Sequence, residues 1–168
     1  MTDVIEQHTL AVLVANEPGV LARVIGLFSG RGYNIESLTV AEIDRERGQS
    51  RITLVTSGTR MVIDQIKAQL DRLVPIHRVR DLTEDGPFVS RELALIKVIS
   101  QDGKKAEVLR IAESFGARIV DSSESSFVFE VTETSEKVDQ VLAMLASYGR
   151  LEVARTGIVA VSRGPESI

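Results

Sequence analysis

Between Thr9 and Phe28 the spacing of apolar residues changes from that of a strand to that of a helix, and the change happens across Asn16-Glu17-Pro18-Gly19-Val20-Leu21. Upstream, Thr9-Leu10-Ala11-Val12-Leu13-Val14-Ala15 is aliphatic and β-branched enough for a buried strand, which Asn16 ends. Downstream, Val20, Leu21, Val24, Ile25 and Phe28 share one helical face. A chain forced to turn from strand to helix over Pro18-Gly19 offers unpaired backbone N–H groups at the first turn of that helix. Glycine there lets a ligand approach without a Cβ in the way. The N–H groups and the helix dipole together favour an anion such as a carboxylate, by a few tenths to about 1 kcal/mol. The plainer reading is a strand-to-helix turn with no ligand.

The same order of elements occurs twice. A helix over residues 19–29 is stopped at Gly30-Arg31-Gly32, residues 33–43 alternate as a second strand, and the charged stretch 44–49 joins it to a third strand over 50–56. Val62, Ile66, Leu70 and Leu73 mark a second helix, and Pro75-Ile76-His77-Arg78-Val79 starts a fourth strand. Thr83-Glu84-Asp85-Gly86-Pro87 is polar and turn-rich, as separators between domains are. The order then begins again: a strand over 92–100, a helix over 105–115 ended by Gly116, a short strand over 118–121, and a strand carrying Phe127, Phe129 and Val131. A helix over 135–147 and a strand over 151–161 close it. The expectation is an α+β protein of two ferredoxin-like βαββαβ sandwiches, with a first domain over 1–83, a linker over 84–91 and a second domain over 92–168.

Composition narrows the function. Of 168 residues, 43% are hydrophobic and 26% charged, enough for a buried core in a globular chain. The absence of cysteine removes disulfides and thiolate ligands and fits a reducing cytoplasm, the expected location. Met1-Thr2-Asp3-Val4-Ile5-Glu6 has no basic, apolar leader pattern, and no run approaches ~18 apolar residues, so neither secretion nor a membrane span is expected. A net charge of −4 and 4% aromatic residues argue against nucleic acid as a partner. His8 and His77 lack metal-ligand spacing and read as ordinary strand-end residues. There is no Gly-x-Ser-x-Gly, Gly26, Gly30 and Gly32 do not form a dinucleotide fingerprint, and Gly103-Lys104-Lys105 is not a phosphate loop. Glu17 reads as a solvated loop residue. With no catalytic constellation and no metal set, the chain reads as a binding or regulatory module.

Two stretches carry a resemblance: Asn16-Glu17-Pro18-Gly19-Val20-Leu21-Ala22-Arg23-Val24-Ile25-Gly26-Leu27-Phe28, and Arg31-Gly32-Tyr33-Asn34-Ile35-Glu36-Ser37-Leu38-Thr39-Val40-Ala41. The first resembles an ACT domain, a βαββαβ module that binds amino acids. The two together resemble the small regulatory subunit of acetolactate synthase, also called acetohydroxyacid synthase. Asp64-Gln65-Ile66, Leu73-Val74, Glu152-Val153-Ala154-Arg155-Thr156-Gly157 and Ser162-Arg163-Gly164 extend the likeness over essentially the whole chain.

The resemblance implies a homodimer formed edge to edge through the ACT domain, without turnover of its own. It further implies a chain that activates the large catalytic subunit and confers feedback inhibition by valine in branched-chain amino-acid biosynthesis. Thiamine diphosphate, Mg²⁺ and FAD are implied in that catalytic partner, and no cofactor in this chain. The implied valine site takes Gly19, Val20 and Leu21 for the carboxylate, Asn16 and Asn34 for the polar ends and Ile35 for the wall. Thr39, Ala41 and Gln65 are implied as residues that modulate the response. The competing classes are a free-standing amino-acid-sensing ACT protein or transcriptional regulator, which needs a helix-turn-helix or basic patch found in neither half, and a small enzyme of unknown reaction.

Overall fold

The structure, a computed structural model, describes residues 4–100 and 104–168. Met1, Thr2, Asp3 and Gly103, on which the leader and phosphate-loop readings touch, lie outside the described residues. The chain forms two compact units: residues up to Ser90 together with Ile158–Ile168, and Arg91–Gly157.

The first unit begins β1 (Glu6–Ala15), α1 (Val20–Arg31), β2 (Ser37–Asp44), β3 (Gln49–Gly58), α2 (Arg60–Asp71), β4 (Ile76–Asp81). Its antiparallel sheet has the order β2-β3-β1-β4. β1 and β3 pair without interruption from Glu6 opposite Gly58 to Ala15 opposite Gln49. With that register, Leu10, Val12 and Val14 lie on the same face as Ile52 and Leu54, because side chains alternate along a strand. These residues form one core with Val20, Val24 and Phe28 of α1 and Ile63, Ile66 and Leu70 of α2. Burial of each such side chain favours folding by about 1.5–3 kcal/mol. Gly32, at φ 70, ends α1, two residues beyond the helix expected from the sequence. Leu82–Asp85 form a short helix, α3, inside the stretch read from the sequence as a separator. Asp81 starts it by accepting from the backbone N–H groups of Thr83 and Glu84 at 3.1 and 3.3 Å.

The second unit repeats the pattern with β5 (Phe88–Ile99), α4 (Lys105–Ser114), β6 (Arg118–Ser122), β7 (Ser126–Glu133), α5 (Ser135–Leu145) and β8 (Arg150–Arg155) in the sheet order β6-β7-β5-β8. Ala94, Ile96, Val98, Phe127, Phe129 and Val131 meet Val108, Ile111 and Ala112 of α4 and Val138, Val141 and Leu145 of α5. Phe127 and Phe129 stack at 5.9 Å. Gly149 is forced by space, since a Cβ there would sit 2.3 Å from the carbonyl oxygen of Ile99. Both units are therefore βαββαβ sandwiches with two helices on one face, as the sequence leads one to expect.

The end of the chain differs from the sequence reading. The single closing strand expected over 151–161 is split by Gly157 at φ 86 into β8 and a short β9 (Val159–Ser162). Residues from Ile158 onward belong to the first unit, so its division from the second differs from a boundary at 92–168. This segment covers the helix-free face of the first sheet, where Ala11, Leu82 and Ala160 form a small core with Phe88, Ile158 and Ile168 packed against it. Polar side chains of the sheet hold its backbone. The Thr39 hydroxyl donates to the Ile158 carbonyl at 2.6 Å, the Ile158 N–H donates to Ser37 at 2.7 Å, and Arg51 donates to the Ala160 carbonyl at 2.7 Å. Arg78 and Arg80 both donate to the carbonyl of Ser167 at 3.4 Å.

Leu82 is 2% exposed and anchors that small core, so Leu82→Ala should lower unfolding stability by about 2–5 kcal/mol through lost burial and the cavity left behind. Val74, 93% exposed, is the control, and Val74→Ala should leave the urea midpoint unchanged.

Candidate functional site

The loop between β1 and α1 is fixed at both ends. The Asn16 N–H donates to the Gly48 carbonyl at 2.7 Å and the Glu17 N–H to the Ala15 carbonyl at 3.0 Å. Gly19 occupies the N-cap at φ 84, ψ −6, a left-handed conformation that costs other residues about 1–2 kcal/mol. It has no side chain to cap α1, and the first turn holds no acidic residue. The Val20 N–H reaches the Glu17 carbonyl only at 3.4 Å, and the first sound helical bond runs from Arg23 to Gly19 at 3.0 Å. The positive end of α1 is therefore left without a counter-charge beside exposed backbone, an arrangement that suits a carboxylate. Asn16 turns its amide nitrogen to Glu42 on β2 at 3.0 Å, which leaves its side-chain oxygen as an acceptor over the loop. The sequence reading missed Glu42, which is 26 residues away in the chain.

Asn34 and Ile35 lie at the other end of α1. Twelve helical residues separate the two places, a rise of about 18 Å, so one chain does not bring Asn34 to Gly19. The carbonyl of Asn34 accepts from the Thr56 hydroxyl at 2.6 Å, which fixes the backbone while the exposed amide side chain points away from the core. Ile35 is half-buried against the first core. Gln65, on α2, accepts from the Tyr33 hydroxyl at 3.2 Å, next to Asn34 in sequence, and Tyr33 meets Phe28 edge-on at 6.2 Å. Val20 is buried in the core and Leu21 packs partly against it, so each can offer only its backbone. Thr39 and Ala41 are on β2, opposite Thr53 and Arg51 respectively. Thr39 spends its hydroxyl on the closing segment, and Ala41 is exposed.

A second cluster escaped sequence reading altogether. His8, 4% exposed, is paired through Nδ1 with the buried Asp81 carboxylate at 2.7 Å, although the two are 73 residues apart. A carboxylate only accepts, so Nδ1 carries the proton, and Nε2 is buried with no hydrogen-bond partner among the described residues. His8 is thus a core-facing residue, not an ordinary strand-end residue. His8, Asp81 and Glu84 place possible ligand atoms within 4.8 Å of one another. The ammonium of Lys67 lies among these carboxylates, 2.6 Å from Glu84, 3.0 Å from Asp64 and 3.7 Å from Asp81, and supplies the cation there. Burial works against the charge on Lys67, but hydrogen bonds to Glu84 and Asp64 and the field of Glu84 and Asp81 outweigh it and raise the pKa above 10.5. A pKa raised by folding stabilises the native state below the ordinary lysine value, so this contribution is intact at neutral pH and fades only in strong alkali.

The fold and the loop define the class: a protein with an ACT-type βαββαβ unit whose glycine turn opens at a helix N-terminus. Residues 10–78 match the family described as AHAS small subunit-like ACT domain, and residues 91–164 match the family described as small subunit of acetolactate synthase. The probable acetolactate synthase small subunit of Archaeoglobus fulgidus is 47% identical over 158 residues, 94% of this chain and 98% of that one. The acetolactate synthase small subunit of Mycolicibacterium smegmatis is 44% identical over 161 residues, 96% of this chain and 94% of that one. The crystal structure of the acetolactate synthase small subunit from Thermotoga maritima superposes with a TM-score of 0.84 at 36% identity, covering 96% of this chain and 99% of that one. The chain belongs to the family of acetolactate synthase small subunits, which places it as a regulatory subunit whose partner is a large catalytic subunit. No helix among the described residues is long and apolar enough to cross a membrane.

Removing Asp81 would strand the His8 Nδ1–H and two backbone N–H groups of α3 and would take one carboxylate from Lys67. Asp81→Ala should therefore destabilise the first unit by about 3–5 kcal/mol in urea unfolding, the cost of breaking a buried ion pair. Asp64→Ala, at the exposed side of the same lysine, should change the midpoint little.

Proposed function

We propose that this chain activates the large catalytic subunit of acetolactate synthase and makes it subject to feedback inhibition by valine, with no turnover of its own. The thiamine diphosphate, Mg²⁺ and FAD of the reaction belong in this reading to the catalytic partner, and the setting is branched-chain amino-acid synthesis in the cytoplasm. The observation that carries the valine assignment is the uncapped, unneutralised start of α1 behind Gly19. The backbone N–H groups of Gly19, Val20 and Leu21 receive the valine carboxylate. The side-chain oxygen of Asn16 and the amide of Asn34 receive its ammonium and remaining carboxylate oxygen, and Ile35 forms an apolar wall. Gln65 acts from beside the pocket through Tyr33. Thr39 and Ala41 act from β2, where Thr39 links the strand to the closing segment.

Asn34 is a helix length from Gly19, so a complete pocket takes the glycine loop of one subunit and Asn34 with Ile35 of its twofold mate. The edge strand β2, which pairs on one side only and exposes Val40 and Ile43, is the surface through which two ACT units join into a continuous sheet. A ligand held by both chains binds the dimer alone. At about 100 times its dissociation constant it therefore favours the dimer by roughly 2.7 kcal/mol per site.

Gly19→Asp should abolish valine binding, because the new carboxylate occupies the anion position. Nothing lies within 4 Å of a Cβ at Gly19, so the fold and the activation of the catalytic subunit should survive with only backbone strain. Asn34→Ala should weaken valine by roughly 5- to 150-fold, the cost of about 1–3 kcal/mol for an unmet polar group. Purified heterodimers of the two variants carry both lesions in one pocket and none in the other. Calorimetry should find one high-affinity site per heterodimer, and its absence would refute the shared pocket.

A further inference from the structure

Beside the core of the first unit, α1 and α2 leave between them an open groove of about 660 Å³ lined by Arg23, Gly26, Leu27, Gly30, Arg31, Gln69, Arg72 and Leu73. Every charged residue lining it is an arginine, although the chain as a whole carries a net charge of −4. The three guanidinium groups are exposed and have no ion pair among the described residues. On the helix-free face of this unit, by contrast, Arg80 meets Asp85 at 2.7 Å and Glu166 at 3.7 Å. We propose that this groove receives an acidic segment of the catalytic large subunit, an inference that rests on the regulatory reading above and adds to it the surface through which the partner is held.

The spacing of the charges selects the occupant. Arg23 and Arg31 are eight residues apart on one helix, about 12 Å along its axis, which is too far for one phosphate or carboxylate to meet both. A peptide segment with several carboxylates can pair with each guanidinium in turn, and the planar fork of arginine favours such two-point contacts. The floor of the groove suits a backbone. Gly26 and Gly30 lie inside α1, where glycine weakens a helix by roughly 0.5–1 kcal/mol relative to alanine. A Cβ at either would meet nothing within 4 Å, so packing inside the unit does not call for glycine. Their bare backbone leaves room for close approach by something outside the chain. Gln69 lines the same groove, and its buried side-chain oxygen has no partner among the described residues, so a small shift of this side chain would offer it to an incoming donor. A second copy fits less well, because a twofold contact would bring the arginines of each subunit onto the same surface. The position also explains how the partner can sense the effector: Arg23 is in the first turn of α1, and its N–H bonds the Gly19 carbonyl at 3.0 Å.

The test uses the full chain and its tagged cognate catalytic subunit, with affinity measured by biolayer interferometry across a salt series. Arg23→Glu, Arg31→Glu and Arg72→Glu combined should lower affinity for the large subunit by about 100-fold and flatten its salt dependence, since like charges set opposite each other oppose docking strongly. The double variant Arg31→Glu, Arg72→Glu, which leaves the first turn of α1 without an acidic residue, should lower partner affinity while keeping its valine affinity, measured on the small subunit alone. Gly26→Leu should keep or raise the melting temperature while lowering affinity for the partner at least about tenfold, a pairing of effects that a merely structural glycine would not give. Arg110→Glu, exposed on α4, is the charge control and should leave affinity within about twofold. Unchanged partner affinity in the triple and Gly26→Leu variants would overturn the docking surface. An equal loss in Arg110→Glu would reduce it to a general charge effect and overturn it too, and a change in sedimentation of the small subunit alone would assign the groove to self-association instead. A wild-type chain that fails to bind the catalytic subunit at all would overturn the regulatory reading itself.

Discussion

The strand β1 is the interaction on which the first unit depends, because it is paired on both edges and buried on both faces. Its ten residues match β3 one for one, and β4 pairs with it on the other side until a register shift at Leu13 and Val14. On one face Leu10, Val12 and Val14 meet the two helices, and on the other Ala11 meets Leu82 and Ala160. His8 at its beginning is tied to Asp81, and Ala15 at its end takes the Pro75 carbonyl at 2.8 Å before the chain turns into the glycine loop. A loop mounted on a strand so constrained can hold an exposed left-handed glycine in place without side-chain help. The stability of the core thus sets the precision of the candidate site.

The helix-free face uses a different physics. Alternation along β3 and β4 puts Arg51, Arg78 and Arg80 there, and an open sheet face with three cations would repel itself. Burial and the nearby charge of Arg80 both push the Arg51 pKa down. The closing segment answers this with backbone carbonyls of Ala160 and Ser167, and with the carboxylate of Glu166 against Arg80, while Ile158 and Ile168 add apolar cover. Residues 158–168 are therefore part of the first unit, through the small core on its helix-free face. Arg51 is met by a carbonyl dipole, which accepts a guanidinium hydrogen bond with less desolvation than a second full charge requires, whereas Arg80 is met at 2.7 Å by the carboxylate of Asp85.

Periodicity explains what could be read from the sequence. Val20, Val24 and Phe28, or Phe127, Phe129 and Val131, declare their element locally, and the βαββαβ order follows from counting such stretches. The glycine turn was legible for the same reason, since strand, punctuation and helix are contiguous. The misses are non-local or very short. The closing strand looked continuous because Val153, Val159 and Val161 keep β-branched character across Gly157, and only its positive φ breaks the run. Helix α3 has four residues, too few for a period, and depends on a cap from Asp81. The pairs His8 with Asp81, Asn16 with Glu42 and Tyr33 with Gln65 are separated by 73, 26 and 32 residues, so no window on a single sequence contains them.

The duplication of the fold does not duplicate the site, and the four longer helices show why. α2 starts behind Thr59, whose hydroxyl accepts from the Val62 N–H at 3.4 Å. α4 and α5 lack a side-chain cap, but each carries a glutamate in its first turn, Glu107 and Glu136, which offsets the dipole. α1 alone among these four has neither a capping side chain nor an acidic residue at its start. A carboxylate in the first turn stabilises a helix by about 0.3–1 kcal/mol, so the second unit, built on the same topology, offsets at both its helices the charge that α1 leaves unmatched. The retained defect is one that an anionic ligand can repair, and Gly19 and Arg23 share the first hydrogen bond of the helix. Ligand binding at one end of α1 and any contact along its flank therefore act on a single rigid element, which is the minimum physical requirement for coupling the two.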